Sequence, residues 1–282
     1  MSSAVRVGFI GLGSQGGPIA RRIVDGGFPT TLWARRAATL EPFAGSAAAV
    51  AASRASLAAA SDVVCVCVVD DADVEQVLGG DDGVLAGLRP ASVVVVHSTV
   101  HPATCRRIAE QVAARGATLV DAPVSGGGAA AAEKRLLVMV GGDATSFARV
   151  EPVLASYGDP VLHLGPVGAG QTAKLLNNLL FTAQLGLATE AFRVGRALGV
   201  DADGLAQVLA SGSGRSYALE LTSGFGFTAA PLAAHAGDLL RKDVGLAAEL
   251  AGASAVELGA LLAAADAALE VMNRPRRTRD AR

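Results

Sequence analysis

The sequence predicts an α/β fold, a parallel-sheet N-terminal domain followed by an all-α C-terminal domain. Three observations predict it. Short β-rich runs alternate with Ala-rich helical patterns up to about residue 164, the rhythm of strands joined by helical crossovers. Most of these runs are continuously apolar, as strands are when both sheet faces are covered. From Gln171 to about Met272 no convincing strand interrupts a helical pattern.

Taken in order, the expected strands are 5–10, 30–33, 63–69, 93–96, 118–120, 136–140 and 161–164. The segment 44–60 is rich in Ala and Ser, which suits a thin strand and a packed helix. Gly and Pro cluster at 164–170 and mark the domain boundary, giving a sheet domain over 1–165 and a helical domain over 166–272. The apolar stretch 251–272 is interrupted by Glu257, Asp266 and Glu270, so it reads as one core helix and not as a membrane span. The end, 273–282, with Arg274, Arg276, Arg277 and Arg279, reads as a disordered basic tail.

Bulk composition narrows the function classes. The chain has 282 residues, enough for one large or two ordinary domains, and 51% are hydrophobic, ample for a sizeable core. A net charge of −2 argues against nucleic-acid or anionic-membrane partners. Cys65, Cys67 and Cys105 fit neither a metal spacing nor a disulfide framework, so no metal is expected, and a reducing, cytoplasmic setting is the simple reading. Neither a secretory leader nor a spanning segment is visible.

The strongest local signal in the first half is Gly11-Leu12-Gly13-Ser14-Gln15-Gly16. It follows the first strand directly and opens a helix that has Pro18 in its first turn. This is the dinucleotide fingerprint in its required context, so the sheet domain is of Rossmann type. Gly11 allows the tight turn, Gly13 lets the backbone approach a pyrophosphate, and Gly16 lets the helix pack on the strand. At the end of the second strand an NAD site usually places an acid. Here the sequence reads Trp33-Ala34-Arg35-Arg36. An unopposed arginine pair favours the 2′-phosphate of NADP, with NAD still possible. The alternative is a pair of surface arginines opening a helix.

In the second half, Lys174 and Asn178 lie one turn apart on one helix face, just behind the glycine-rich loop 165–170. Leu175, Leu176, Leu179 and Leu180 cover much of the rest of that helix, which argues for burial. Near a helix N-terminus the macrodipole disfavours a protonated amine. A general-acid/base lysine needs its pKa brought down to about 7–8. An ordinary surface lysine beside a helix-capping Asn is the competing reading.

Four motifs stand in order: the glycine fingerprint, Asp121-Ala-Pro-Val-Ser-Gly-Gly127, Gly168-Ala-Gly-Gln-Thr-Ala-Lys-Leu-Leu-Asn-Asn178, and Lys242-Asp243. With them the chain resembles the β-hydroxyacid dehydrogenase family, which includes 3-hydroxyisobutyrate dehydrogenase, over nearly its whole length. The resemblance implies reversible hydride transfer between NADP(H) and a small hydroxy acid or its semialdehyde, in a homodimer. It implies that Lys174 is the general acid/base and that Asn178 positions the substrate. Ser125, Gly126 and Gly127 would hold a substrate carboxylate in a nest of N–H groups. Thr99 would lie along the nicotinamide side, Lys242 would serve the cofactor, and Asp243 would orient its neighbours.

The sequence departs from the family pattern at Gln15, where Met is frequent, at His97, where Asp is common, and at Lys134, where Gly is usual. His235 stands where a Phe near the substrate is frequent. Either its imidazole lines the substrate pocket and binds a polar group, or the local register differs and it faces solvent. Competing functions are a 6-phosphogluconate dehydrogenase, an imine reductase and a catalytically silent NADP-binding module. Asn177 argues against the first, Lys174 against the second, and Lys174, Asn178 and Ser125 kept together against the third.

Overall fold

The computed structural model describes residues 4–276. Arg277 and Arg279 of the expected tail lie outside the described residues. The chain forms two compact units, Met1–Lys174 and Leu175–Arg282.

The first unit opens with β1 (Val7–Ile10), α1 (Gly16–Asp25), β2 (Thr30–Trp33) and a 3-10 turn over Ala37–Phe43. Then come β3 (Ala49–Val50), α2 (Arg54–Ala59), β4 (Val63–Val66), α3 (Asp71–Leu78), α4 (Val84–Gly87) and β5 (Val93–Val96). The remainder is α5 (Pro102–Ala113), β6 (Thr118–Asp121), β7 (Val124–Ser125), α6 (Gly127–Ala132), β8 (Leu136–Gly141), α7 (Ala144–Leu154) and β9 (Gly158–Gly165). The long helix α8 (Ala169–Ala197) begins in this unit.

Six strands run parallel in the order β3-β2-β1-β4-β5-β6. β8 pairs antiparallel with β6 and β7 and parallel with β9. Every residue of β1, β4 and β5 is buried, which is why these strands read as unbroken apolar runs. One face of the sheet packs Phe9, Leu32 and Val95 against Ile19 and Ile23 of α1. The other packs Ile10, Val64 and Val94 against Leu57, Val74 and Ile108. β9 departs from the covered pattern. It pairs only with β8, so Leu162 and Leu164 are exposed. β3 and α2 supply the thin strand and packed helix expected of the Ala/Ser-rich segment 44–60, whereas β7, with two residues, is too short to leave a periodic signal.

The second unit carries the rest of α8, then α9 (Ala202–Ser211), α10 (Tyr217–Gly224), a 3-10 turn over Ala230–Ala234, α11 (Gly237–Ala253) and α12 (Gly259–Val271). No strand falls in it among the described residues. The single helix expected over 251–272 is two helices. Ala255, between α11 and α12, takes a left-handed conformation (φ 53°) through which a right-handed helix does not continue. Leu175, Leu179, Leu185, Val244 and Leu269 are fully buried in its core. Leu176 and Leu180, on the adjacent stripe of α8, are instead about half exposed. At the start of the expected tail, Arg274 pairs with Asp238 at 3.2 Å and Arg276 with Asp266 at 2.5 Å. Among the described residues no helix is long and apolar enough to cross a membrane.

Candidate active site

The turn from β1 into α1 is built by close backbone approach. Gly11 has φ 98°, and a Cβ there would lie 2.0 Å from the Cys67 carbonyl oxygen. A Cβ on Gly16 would lie 1.9 Å from the Gly11 carbonyl oxygen. Neither position admits a side chain. Gly13 is different: it is exposed, with open space where its Cβ would be, so an anion can reach the backbone there. Gln15, the N-cap of α1, makes no side-chain capping bond, and the first turn carries no acid. The helix N–H groups are thereby left for an anion. Gln15 Nε2 is itself buried without a partner. An open glycine cradle and an orphaned donor fit the pyrophosphate of a dinucleotide.

A cleft of about 370 Å³ opens beside this turn, lined by Gly11, Leu12, Gly13, Trp33, Arg35 and Arg36 among others. Arg35 and Arg36 are exposed, and their guanidinium groups make no ion pair among the described residues. One acid, Asp73, also lines the cleft, from α3 and not from the end of β2. Its carboxylate accepts the Val69 N–H at 3.4 Å.

The second glycine turn lies next to the first. Gly126 (φ 126°) and Gly127 (φ 75°) swing the chain from Ser125 on β7 into α6. A Cβ on the following Gly128 would lie 2.5 Å from the Ser14 carbonyl oxygen, so the structure brings the Ser125 and Ser14 turns together.

Two residues to which the motifs assign no role, Asp121 and Gln171, link this region to the helix of Lys174. Asp121, the last residue of β6, is fully buried. Its carboxylate accepts the Gly168 N–H at 2.6 Å and the Gln171 N–H at 2.8 Å, capping α8 from a distant strand. Burial pushes the carboxyl up to about 6, with these N–H bonds pulling the other way. Gln171, also fully buried, donates from Nε2 to the Ser98 carbonyl at 2.8 Å and accepts the Val100 N–H at 3.1 Å on Oε1. Its amide therefore brackets Thr99, which is half-buried. Lys174 follows Gln171 by three residues on the same face of α8 and is only 8% exposed. The signal that could have found Gln171 is that same spacing: a polar residue one turn before the lysine.

In the second unit, Asn178 Nδ2 donates to Asp243 Oδ2 at 2.6 Å, and Lys242 Nζ lies 2.9 Å from Asp243 Oδ1. Asp243 is buried and so holds both neighbours. His235 follows the 3-10 turn over Ala230–Ala234 and is exposed. His97, just past β5, is absorbed into the core of the first unit. Its Nδ1–H donates to the Ala122 carbonyl at 2.7 Å, and its Nε2 accepts from the Tyr157 hydroxyl at 3.1 Å. Burial pushes its imidazole down to about 4, so the ring is neutral. The described residues contain no cluster of metal-ligating side chains.

Residues 6–165 match the family described as the NAD binding domain of 6-phosphogluconate dehydrogenase. Residues 168–281 match that described as NAD-binding of NADP-dependent 3-hydroxyisobutyrate dehydrogenase. The chain belongs to the β-hydroxyacid dehydrogenase family. It is similar to 3-hydroxyisobutyrate dehydrogenase of Pseudomonas aeruginosa, at 36% identity over 90% of this chain and 89% of that one. It is also similar to 2-(hydroxymethyl)glutarate dehydrogenase of Eubacterium barkeri, at 32% identity over 88% of this chain and 83% of that one. A solved structure of Mycobacterium tuberculosis 3-hydroxyisobutyrate dehydrogenase with L-serine superposes with a TM-score of 0.84 at 28% identity, covering 97% and 96% of the two chains. This β-hydroxyacid dehydrogenase is thus an NAD(P)-dependent oxidoreductase acting on CH–OH groups, with a Rossmann-like sheet and a helical C-terminal region.

Proposed function

We propose that this dehydrogenase interconverts a small β-hydroxy acid and its semialdehyde with NADP(H), using Lys174 as the general acid/base. The observation that carries the reading is the burial of Lys174 on a helix anchored by two buried groups, Asp121 and Gln171. A lysine ordered in this way can exchange a proton with a bound hydroxyl in a water-poor setting. During oxidation it takes the hydroxyl proton; during reduction it returns one to the new alkoxide. The nicotinamide cofactor supplies the hydride acceptor or donor.

The other assignments follow from chemistry. Gly11, Leu12, Gly13, Ser14, Gln15 and Gly16 present N–H groups and an amide to the pyrophosphate. Arg35 and Arg36, exposed and without ion pairs among the described residues, suit a 2′-phosphate and support NADP over NAD. Thr99 is assigned to the nicotinamide side. Ser125, Gly126 and Gly127 offer a hydroxyl and N–H groups to the substrate carboxylate. Asn178 positions the substrate, Lys242 serves the cofactor, and Asp243 orients both. His235 is assigned to a polar group of the substrate; His235→Phe should then favour less polar substrates, and an unchanged profile removes that assignment. The exposed leucines of α8, Leu176, Leu180 and Leu187, favour a homodimer.

The test is NADPH formation, followed by absorbance, across a panel of small hydroxy acids with NADP and with NAD. Lys174→Ala should lose the turnover while still binding NADPH. Full turnover by that variant, or none by the wild type on any hydroxy acid, sinks the reading.

A further inference from the structure

The cofactor cleft contains a third arginine in a state unlike that of Arg35 and Arg36. Arg54, at the first position of α2, lies over the ring of Trp33 with its Cζ 5.5 Å from the ring centroid. That is within the range of a cation–π contact. Its Nη1 donates to the Gln76 carbonyl at 2.6 Å, and its Nη2 lies 3.6 Å from Asp82. The guanidinium is therefore fixed at both Nη ends and against an aromatic face. Its Nε is buried and has no hydrogen-bond partner. A buried donor left unpaired in a rigid group costs free energy unless a ligand completes it. Arg54, Trp33 and Gln76 all line the cleft, together with the apolar Val68, Val69 and Val77.

We propose that Arg54, braced on Trp33, is a binding residue for the adenine base of the cofactor. A flat heteroaromatic ring with acceptor nitrogens suits this wall: apolar surface for its faces and an unpaired N–H for its edge. The base is common to NAD and NADP, so Arg54 sets affinity for both, whereas Arg35 and Arg36 sense the 2′-phosphate. This rests on the dinucleotide reading of the same cleft.

The test uses calorimetric titration of the whole protein with 5′-AMP and with adenosine 2′,5′-bisphosphate. Emission of Trp33, the single tryptophan of the chain, reports where they bind. Arg54→Met should weaken both nucleotides by about tenfold, the scale of one charge-assisted hydrogen bond. Their affinity ratio should not change, and near-UV circular dichroism should confirm the fold. Arg54→Lys keeps the charge but loses the planar Nε donor, so it should bind as weakly as Arg54→Met. Arg35→Ala should weaken only the 2′-phosphorylated nucleotide. Wild-type affinity in Arg54→Met, rescue by Arg54→Lys, or a loss confined to the 2′-phosphorylated ligand each overturns the assignment. If the wild type binds neither nucleotide, the dinucleotide reading of the cleft falls with it.

Discussion

β5 and β6 are parallel neighbours, and each delivers a polar residue at its C-terminal end: His97 just past β5 and Asp121 at the end of β6. Both are buried, and their fates are opposite. His97 is enclosed by Phe9, Tyr157 and the Ala122 carbonyl, and serves the core. Asp121 faces the start of α8 and anchors the helix that carries Lys174. Position at a strand end is therefore not enough to mark a functional residue. What decides is whether the polar partner is a core group or, as for Asp121, the backbone at the start of the helix that carries Lys174.

The two also respond to pH with opposite sign, and this gives the largest expected effect. The folded imidazole of His97 titrates near 4 against an ordinary value of 6.5, so it opposes folding as pH falls from about 6.5 toward 4. The folded carboxyl of Asp121 titrates near 6 against an ordinary 3.8, so its ionised form is the disfavoured one. Its contribution is fully present below about 4 and is lost as pH rises through 6. Each shift corresponds to about 3 kcal/mol, and the two nearly cancel between pH 4 and 6. Removing either one should unmask the other. Relative to its own stability at pH 7, His97→Gln should gain stability on acidification, by up to about 3 kcal/mol. Asp121→Asn should lose a similar amount. Urea midpoints from pH 4 to 7 check this; parallel profiles in both variants would break the comparison.

A smaller effect isolates the anchoring side. Gln171→Ala removes two buried side-chain bonds and leaves Ser98 O and Val100 N short of a partner. It should cost about 2 kcal/mol of stability. It should also lower kcat about tenfold while leaving NADPH affinity, read by fluorescence titration, within twofold. If affinity and kcat fall together, Gln171 serves the general fold and not the placement of Lys174.

The smallest effect lies away from both. Lys134 takes φ 59°, a left-handed conformation that a side chain disfavours. Lys134→Gly should therefore raise stability by about 1 kcal/mol with turnover unchanged, measured by thermal unfolding. A loss of stability there would mean that the lysine side chain contributes more than its backbone strain removes.

Much of the first unit could be read from its residues. The runs at 63–66 and 93–96 are strands because Val and Cys on both faces leave no polar side to expose, and the turn Gly11–Gly16 declared itself by its spacing. The helical half was legible as a class but not in its breaks. Nothing in Ala255 announces a left-handed turn, since alanine favours helix, so α11 and α12 merged in the one-dimensional reading. Likewise Leu176 and Leu180 carry the same letter as Leu175 and Leu179, yet only the second pair meets the core.

The sequence by itself determined the division into an alternating strand–helix half and a helical half, the dinucleotide turn and the family motifs, because these depend on local spacing and on residue type. The tertiary structure alone decided which buried polar groups meet. Asp121 finds the N–H groups of residues 168 and 171, Gln171 finds Ser98 and Val100, and Arg54 finds Trp33, across gaps of 21 to 73 residues. Local propensity carries no information about such partners. They are selected only when the packed interior removes water and each buried polar group must be satisfied by another.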